Sequence, residues 1–477
     1  MTDPRAAAVL RRFGPDPASW VRDSGTDHDV VVVGGGQAGI GIGFALRRAG
    51  VGRASVVDAA GPGEKGVWTT IARMHTLRTP KAWPEPEFGV PELSFRAWYE
   101  EQHGEPAYEA LDRIPRLDWA AYLDWVEAAL QVPVRHRTRL VGIDPGTDRL
   151  TLTLAITEQD GEIRTVREST RKLVLANGVE GTGGPAVPHP LRGLPRTHLA
   201  HTSDHIDFAA LEGRRVAVVG AAASALDAAG VALEAGAAEV HLFTRRPALL
   251  IQGPQGFGPQ NLGARNNYRR RSDADRWKQK ATAARQGRSA TLASLERALA
   301  FSGFHVHLSA PWHSASVVGD RVLAEAADGT HEFDVVIAGT GYQYDPRTRA
   351  ELAGIADDIA LWGDRYRPPV ELEDDDLATW PYLGPDFELV EKHAGRAPWL
   401  GRIHVFSAAA GLSFGYPIGD VQSLAPLVPH LVDAIGRDLF FEDQQLPAAP
   451  PEQAGPATSF RDVYEHAVWT AEVPAPA

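Results

Sequence analysis

A run of four valines at residues 30–33 leads directly into Gly-Gly-Gly-Gln-Ala-Gly at residues 34–39, and this feature restricts the fold more than any other. An apolar, helix-like segment follows the glycines. The order predicts the strand, turn and helix of a dinucleotide-binding unit. In such a unit Gly34 permits the tight turn, Gly36 lets the backbone approach a pyrophosphate, and Gly39 lets the helix pack on the strand. The helix N-terminus would present free N–H groups to that pyrophosphate.

A second strand pattern, at residues 54–57, ends in Asp58. A carboxylate at this point would accept hydrogen bonds from both ribose hydroxyls of the nucleotide. A glycine spacing on its own is weak evidence, but here the strand, the helix and the acid at the end of the next strand agree. We therefore predict a nucleotide site at this turn rather than a turn of purely structural meaning.

The same plan occurs a second time. Residues 215–219 enter Gly-Ala-Ala-Ala-Ser-Ala at residues 220–225, which is the glycine fingerprint with alanines at its last two positions. Each copy is followed by a predicted hairpin and a further apolar strand. Two copies in the same order predict two bound dinucleotides. The closing strands of the two copies lead into Ala176 and Gly178 in the first, and into Gly339, Thr340 and Gly341 in the second.

The register of the two copies distinguishes their ligands. Asp58 lies 24 residues after Gly34, whereas the residue 24 positions after Gly220 is Thr244, followed by Arg245 and Arg246. Two guanidinium groups in place of an acid suit a ribose 2′-phosphate. The second nucleotide is therefore predicted to be NADPH, although surface arginines without a ligand would give the same pattern.

The first nucleotide is then predicted to be FAD, because hydride transfer from NADPH needs a redox cofactor of a different kind as its acceptor. Near the C-terminus, Asp420 precedes an apolar segment at residues 421–439. If that segment is helical despite its two prolines, the Asp420 N-cap and the positive helix end would lie by the flavin C2 carbonyl. Residues predicted to run along the flavin are Gly66, Val67 and Trp68.

The composition excludes several classes of protein. A net charge of -13 and a pI near 5.7 argue against nucleic acid as a partner. There is no cysteine, which rules out a disulfide, a thiolate metal site and the redox-active cysteine pair of the disulfide-reductase flavoproteins. We found no apolar run long enough for a membrane span and no signal peptide, so we expect a cytoplasmic protein. No metal ligand set is predicted.

The chain resembles the class B flavin-dependent monooxygenases, which include flavin-containing monooxygenases, Baeyer–Villiger enzymes and N-hydroxylases. The resemblance covers roughly residues 28–440 and rests on the two glycine motifs, on residues 66–68 and on residues 339–342, which look like that family's Ala-Thr-Gly-Tyr linker. It implies that NADPH reduces FAD and that O2 adds to give a C4a-hydroperoxyflavin. That species would insert one oxygen atom into a small organic substrate. An oxidase or dehydrogenase without oxygen insertion, and a non-catalytic flavin-binding module, remain alternatives.

Two departures from the family pattern concern the site. The signature around His201 lacks its glycine and its aromatic residue, so His201 is predicted as a nicotinamide-ribose or hinge contact. The family's usual asparagine near the flavin aligns with Arg78. An arginine there would stabilise an anion or bind a substrate carboxylate, and a purely structural clamp is equally compatible. His75 is a second catalytic candidate for the same pocket.

Residues 247–311 read as an insertion whose stretch 263–288 is strongly basic. That stretch would steer an anionic substrate or help to hold NADPH, or it is a solvated helical face. Substrate identity and oligomeric state cannot be read from the sequence.

The predicted fold class is α/β, with two Rossmann-like dinucleotide-binding domains, the second inserted in the first. The domain bounds are 1–190 and 333–443 for FAD, 191–332 for NADPH, and 444–477 for a C-terminal tail. The predicted cofactor residues are Gly34, Gly36, Gln37, Gly39, Asp58, Gly66, Val67, Trp68, Ala176, Gly178 and Asp420 for FAD, and His201, Gly220, Ala222, Ser224, Ala225, Thr244, Arg245, Arg246, Gly339, Thr340 and Gly341 for NADPH.

Overall fold

A computed structural model describes residues 4–64, 66–83, 89–252, 262–446 and 460–470. Helices and strands alternate along most of it, as the sequence predicts. The helices are α1 (Pro4–Phe13), α2 (Gln37–Arg48), α3 (Phe95–His103), α4 (Glu105–Ala110), α5 (Arg116–Leu130), α6 (Ala223–Glu234), α7 (Leu262–Asn266), α8 (Asp273–Gln286), α9 (Leu292–Leu299), α10 (Trp362–Arg365), α11 (Asp375–Ala378), α12 (Gly411–Phe414), α13 (Val421–Asp443) and α14 (Arg461–Tyr464).

The strands form two main parallel sheets and several smaller ones. They are β1 (His28–Val33), β2 (Ala54–Val57), β3 (Val134–Arg135), β4 (Thr138–Pro145), β5 (Leu150–Thr157), β6 (Ile163–Leu175), β7 (Gly184–Pro185), β8 (Leu199–His201), β9 (Arg215–Val219), β10 (Glu239–Phe243), β11 (Ile251–Gln252), β12 (Ala290–Thr291), β13 (Phe304–His307), β14 (Trp312–Val318), β15 (Arg321–Ala326), β16 (Gly329–Phe333), β17 (Val335–Ala338), β18 (Tyr342–Gln343) and β19 (Ile403–Val405).

The first sheet is organised around β1, whose β-branched valines are buried on both faces. β2 and then β3 lie on one side of β1, and the C-terminal part of β6 lies on the other, with β19 beyond it; all of these pairs are parallel. The N-terminal part of β6 pairs antiparallel with β5, and β5 with β4. The long strand β6 therefore joins a Rossmann-type sheet to an antiparallel hairpin.

The second sheet repeats this plan with the order β13-β10-β9-β17-β8, all parallel. An antiparallel sheet, β14-β15-β16, packs on one face, and α6 and α9 pack on the other. Here the closing strand is broken into β16 and β17, whereas β6 runs through. The boundary predicted at residues 332–333 falls one strand too early, because β17 is hydrogen-bonded to β9 within the second sheet.

The segments between the two sheets pair with each other. β7 follows the first sheet, β18 follows the second, and they form a two-stranded antiparallel sheet. Thr340, in the second connection, donates a hydrogen bond to the carbonyl of Ala186 in the first, at 2.5 Å. The two chain segments that connect the nucleotide-binding units are therefore hydrogen-bonded to each other.

Helix α13 forms in spite of its two prolines. Pro426 has no N–H, so the carbonyl of Gln422 has no helical partner. The guanidinium of Arg265, from α7, donates a hydrogen bond to that carbonyl instead. α13 packs along α2 and contributes Leu424, Leu431 and Ile435 to the larger of the hydrophobic cores.

None of the helices in the described ranges is both long and apolar enough to cross a bilayer. Most of the tail predicted after residue 445 lies outside the described residues, as do residues 84–88 of the loop before Pro91 and residues 253–261 of the basic insertion.

Candidate active site

The first glycine turn has the geometry that its sequence predicts. Gly34 adopts a φ of +114°, and a Cβ built on it would lie 2.4 Å from the carbonyl oxygen of Ala176, at the end of β6. A Cβ on Gly39 would lie 1.7 Å from the carbonyl oxygen of Gly34. Gly36, the N-cap of α2, is different, because its nearest atom would be 3.9 Å away. Gly34 and Gly39 thus close the turn, while Gly36 leaves room for a ligand at the helix N-terminus.

Asp58 lies at the end of β2, beside this turn. Its carboxylate accepts hydrogen bonds from the backbone N–H of Gly35, at 2.5 Å, and of Ala60, at 2.7 Å. The side chain therefore holds the glycine loop against the end of β2. It is partly exposed at the edge of the sheet where a nucleotide ribose is predicted.

A cleft of about 380 Å³ opens from the first glycine turn towards the N-terminus of α13. It brings together residues that the sequence separates by nearly 400 positions. Its walls contain nine of the predicted site residues, namely Gly36, Gln37, Gly66, Val67, Trp68, Arg78, Ala176, Gly178 and Asp420.

The N-terminus of α13 is capped as predicted, since Asp420 accepts a hydrogen bond from the backbone N–H of Ser423 at 3.0 Å. Gln37 donates to the carbonyl of Gly419 at 2.8 Å and so links the first turns of α2 and α13. Burial raises the pKa of Asp420 to about 6, against the opposing charge of Arg265. Two helix N-termini and a carboxyl group with a raised pKa therefore face one cleft.

Arg78 reaches the cleft from the loop that follows residue 66. Its Nη2 atom lies 2.6 Å from Oδ2 of Asp227, a carboxylate in α6 whose side chain is only 4% exposed. The other oxygen of Asp227 accepts a hydrogen bond from Ser294, at the start of α9, at 2.7 Å. Arg78 therefore lines the cleft and at the same time contacts the second unit.

Further arginines hold the same loop. Arg116, at the start of α5, donates to the carbonyls of Trp68 and Met74. Arg297, in α9, donates to the carbonyl of Arg73 at 2.6 Å. Arg73 in turn donates to the carbonyls of Thr202 and Asp204 beyond β8. The loop between the two units is therefore clamped from both sides.

His75 does not lie with Arg78. Its side chain is 69% exposed, and Nε2 is 3.7 Å from a carboxylate oxygen of Glu234, at the end of α6. The backbone turns it away, because the carbonyl of His75 accepts from Arg116 N–H while Leu77 N–H donates to Ile114. The prediction that His75 lines the pocket is corrected accordingly.

The second glycine turn repeats the first. Gly220 has a φ of +117°, and a Cβ on it would lie 2.3 Å from the carbonyl oxygen of Gly339. Gly339 packs against Ala225, the third fingerprint position, so closely that a Cβ built on Gly339 would lie 2.5 Å from the alanine Cβ. Ala222 is the N-cap of α6, and Ser224 is exposed in its first turn. This turn is the predicted NADPH site.

The residues after β10 are not equivalent to one another. Thr244 is buried, and its hydroxyl accepts from the backbone N–H of Arg246 at 3.2 Å. The Arg246 guanidinium donates to the carbonyl of Gln286, at the end of α8, at 2.7 Å. Arg245 is exposed. Of the two predicted phosphate-binding arginines, Arg245 is thus the better placed for a ligand.

His201 is 1% exposed at the end of β8, beside Gly341 and the ring of Tyr342. Its Nδ1 accepts from the backbone N–H of Ser203 at 3.1 Å. Burial lowers the pKa of His201 and so favours the neutral imidazole. Its surroundings are those of a residue in the connection between units, and contact with a nicotinamide stays a prediction.

The basic insertion is not simply a solvated face. Arg276 is buried and donates to the carbonyl of Ser413, and Trp277 donates to the carbonyl of Leu372 at 2.8 Å. Lys280 lies over the ring of Trp380, and burial lowers its pKa to about 8. α8 therefore packs on the returning part of the first unit.

Sequence reasoning missed Asp227, Arg265 and the clamp arginines. Asp227 did carry a signal, because it is an acid among the alanines in the middle of helix α6, whereas Glu234 lies at the end of that helix. An acid at such a position is rarely buried without a partner. Arg265 gave no local signal, since its acceptor is 157 residues away.

Comparison with known proteins agrees with this architecture. A family model described as L-lysine 6-monooxygenase/L-ornithine 5-monooxygenase matches residues 107–271, and one described as FAD-NAD(P)-binding matches residues 31–180. A protein named FAD-dependent urate hydroxylase, from Xanthomonas campestris pv. campestris, is 39% identical over 445 residues, covering 91% of this chain and 92% of the relative.

Solved structures give the same fold at lower identity. Ornithine hydroxylase from Pseudomonas aeruginosa matches with a TM-score of 0.66 at 16% identity, and the ornithine N-hydroxylase of Kutzneria sp. 744 with 0.66 at 17%. L-lysine 6-monooxygenase from Pseudomonas syringae matches with 0.62 at 19%. In each case 86% of this chain and 99% of the other chain are covered.

Proposed function

This chain belongs to the class B flavin-dependent monooxygenases, and because its 39% identical relative is an FAD-dependent urate hydroxylase, we propose that its own substrate is urate. It is an FAD-dependent, NADPH-consuming monooxygenase that inserts one oxygen atom of O2 into a small organic molecule. The observation that carries the urate proposal is the 39% identity, which extends over 91% of the chain and so includes both nucleotide-binding units.

The polar groups in and beside the cleft suit FAD. Gly36 leaves open space at the α2 N-terminus, where the pyrophosphate is predicted, and Asp58 lies at the end of β2, where the ribose is predicted. Gln37 and Asn177 each have a buried side-chain oxygen without a partner among the described residues. Such oxygens are acceptors that the N–H and O–H groups of a nucleotide can satisfy. We assign FAD to this cleft and NADPH to the turn at Gly220.

Bound FAD, once reduced by NADPH, supplies the chemistry that activates O2. The overall reaction balances as urate, O2, NADPH and a proton giving hydroxylated urate, NADP⁺ and water. One oxygen atom enters the substrate as a hydroxyl group and the other leaves as water. The protein has to bind the anion, orient it and keep bulk water out.

Arg78 is our choice for the residue that faces the anion. Urate is a planar anion at neutral pH, and a guanidinium offers it charge and a flat pair of donors. The Asp227 contact fixes the direction of the Arg78 side chain. Because Asp227 lies in α6, that contact would also couple substrate binding to the unit that holds NADPH.

The test is a stoichiometric assay of the FAD-loaded chain with NADPH, O2 and urate. We expect equal consumption of all three, little H2O2, and one oxygen-18 atom in the product when ¹⁸O2 is used. NADPH oxidation that yields only H2O2 at every urate concentration would refute the urate proposal.

The second candidate is hydroxylation of an amine nitrogen in lysine or ornithine, which the matched family model at residues 107–271 favours. The same assay with L-ornithine and L-lysine separates the two, because an amine substrate would give a hydroxylamine and urate would then be inert. Either result leaves the monooxygenase reaction itself in place.

A further inference from the structure

A cluster of histidines and carboxylates lies in the second unit, in the antiparallel sheet and the strand beside it. His307 ends β13, Asp328 lies in the turn between β15 and β16, and His331 is on β16. One ligand atom from each of these three side chains lies within 4.8 Å of the others. Nδ1 of His307 is 2.5 Å, and Nε2 of His331 is 3.1 Å, from the two carboxylate oxygens of Asp328.

The cluster continues inwards. Nε2 of His307 lies 2.9 Å from Nδ1 of His241, on β10, and Nε2 of His241 lies 3.4 Å from a carboxylate oxygen of Glu239. Glu239 also accepts a hydrogen bond from Arg215 at 2.8 Å. Asp328, His307, His241 and Glu239 thus form a continuous row with a carboxylate at each end.

The hydrogens available in this row are too few for its three contacts, so the row needs one additional cation, either a proton or a metal ion. Three contacts join the four side chains, and each contact needs one hydrogen between its two heavy atoms. Two neutral imidazoles supply two hydrogens, and ionised carboxylates supply none. The contact left over must contain either an additional proton or a metal ion.

We propose that His307, Asp328 and His331 bind a divalent transition-metal ion that fastens the β14–β16 sheet to the end of β13. Two imidazole nitrogens and one carboxylate oxygen, with water as the fourth ligand, form a set that Zn²⁺ accepts. The side chains are 16%, 33% and 21% exposed, so water can reach the site. Zinc–ligand bonds of about 2.0–2.1 Å place the ligand atoms of a tetrahedral site roughly 3.3 Å apart. The contact between His307 and Asp328, now 2.5 Å, therefore has to lengthen when the metal binds.

The surroundings fit such a site. With the metal on Nδ1 of His307, its Nε2–H donates to His241, and the Nε2–H of His241 donates to Glu239, so that every hydrogen bond in the row has one donor. A metal-binding histidine is typically oriented in this way by an acceptor behind it. The His307 ring also stacks on Phe243, with centroids 4.1 Å apart and planes at 13°, so the ring has one fixed orientation.

The experiment is Zn²⁺ titration of the FAD-loaded, tag-free full chain by calorimetry at pH 7.5, after treatment with a chelator. We expect one Zn²⁺ per chain with a Kd of about 1 µM or tighter, and a rise in Tm that a chelator reverses. His331→Ala and Asp328→Asn should weaken binding by at least about 100-fold, and His241→Ala by about 10–100-fold. His313→Ala is the matched control, because this exposed histidine belongs to the same sheet and lies outside the cluster, and it should bind like the parent.

Co²⁺ gives a second readout that does not depend on a folded variant. One equivalent added to the parent protein should produce visible bands typical of nitrogen and oxygen ligands, and these should disappear when Zn²⁺ is added. No stoichiometric Zn²⁺ binding by the parent, or equal binding by the parent, His331→Ala and Asp328→Asn, would overturn the proposal. In that case the additional cation in the row is a proton.

Discussion

The two glycine turns differ less in their backbone than in the residues at the end of the next strand. Gly34 and Gly220 have φ angles of +114° and +117°, and each faces the carbonyl of the strand that closes its own unit. Beyond β2 the chain places Asp58, whose carboxylate fastens the glycine loop, whereas beyond β10 it places Thr244 and two arginines. We therefore propose that the common backbone fixes where a nucleotide lies and that the residues at the strand end determine which nucleotide is bound.

The third fingerprint position also differs between the units. It is Gly39 in the first and Ala225 in the second, and Ala225 is accommodated because the strand that closes the second unit leads into glycine, Gly339. The corresponding residue of the first unit is Ala176, whose carbonyl lies against Gly34. The first turn is therefore the less tolerant of an added methyl group.

The largest effect is expected for Gly39→Ala. The new Cβ would lie 1.7 Å from the Gly34 carbonyl oxygen, which cannot move without opening the turn. We expect a loss of stability of about 3 kcal/mol or more and purification without flavin, measured by the flavin-to-protein absorbance ratio. Gly193→Ala, where a Cβ meets nothing within 4 Å, is the control. A fully flavin-loaded Gly39→Ala protein would contradict this account of the first turn.

The contact between the units is tested by Arg78→Met. Removing the guanidinium should lower kcat/KM for urate about 100-fold, as loss of a charge-stabilising donor commonly does, with NADPH diverted to H2O2. Asp227→Asn keeps Arg78 but removes the partner charge, and it should give a smaller loss of the same kind. Coupled turnover at the parent rate in Arg78→Met would show that Arg78 is only a structural clamp.

Cofactor choice in the second unit is tested by Arg245→Ala. Losing a hydrogen-bonded charge contact to the 2′-phosphate, worth about 1.5–3 kcal/mol, should raise the KM for NADPH about 10–100-fold and leave the KM for NADH unchanged. Arg246→Ala is the matched comparison, and its effect should be smaller because that guanidinium is held by Gln286. An equal rise for both coenzymes would count against the 2′-phosphate assignment.

The smallest effect concerns Asp420 at the N-terminus of α13. Its folded pKa of about 6 exceeds the ordinary value of 3.8, so the folded state binds the proton more tightly than the unfolded state. Stability should therefore fall as the pH rises from about 4 to about 6. Asp420→Asn preserves the cap and removes the charge. The Tm of Asp420→Asn should match that of the parent at pH 4 and exceed it by a few degrees at pH 7. Equal Tm values at pH 7 would show that ionisation of Asp420 does not lower the stability of the folded state.

Much of this molecule could be predicted because the signals are local. The valine run of β1, the glycine turns and the Asp420 cap each depend on residues within one or two turns of chain. The sequence predicts the closing strand of the second unit, because each copy of the plan ends in an apolar strand, yet the predicted domain boundary precedes that strand. Its hydrogen bonds to β9 settle which sheet it joins, and a sequence pattern does not contain them.

Short stretches of sequence were enough to predict two dinucleotide units and a cofactor for each, because φ > 0 turns and strand-end charges are properties of short segments. The absence of cysteine, read from the whole sequence, excluded thiol chemistry. The packing of distant elements decided the surroundings of three further side chains. Arg78 is paired with Asp227, 149 residues away, and His75 faces outwards. Arg265 donates to the carbonyl that the proline leaves without a partner in α13. No local pattern contains these contacts. A buried charge is paired with a residue from a distant element because an unpaired charge in a low-dielectric interior destabilises the fold. That loss of stability is larger than the contribution of any local conformational preference.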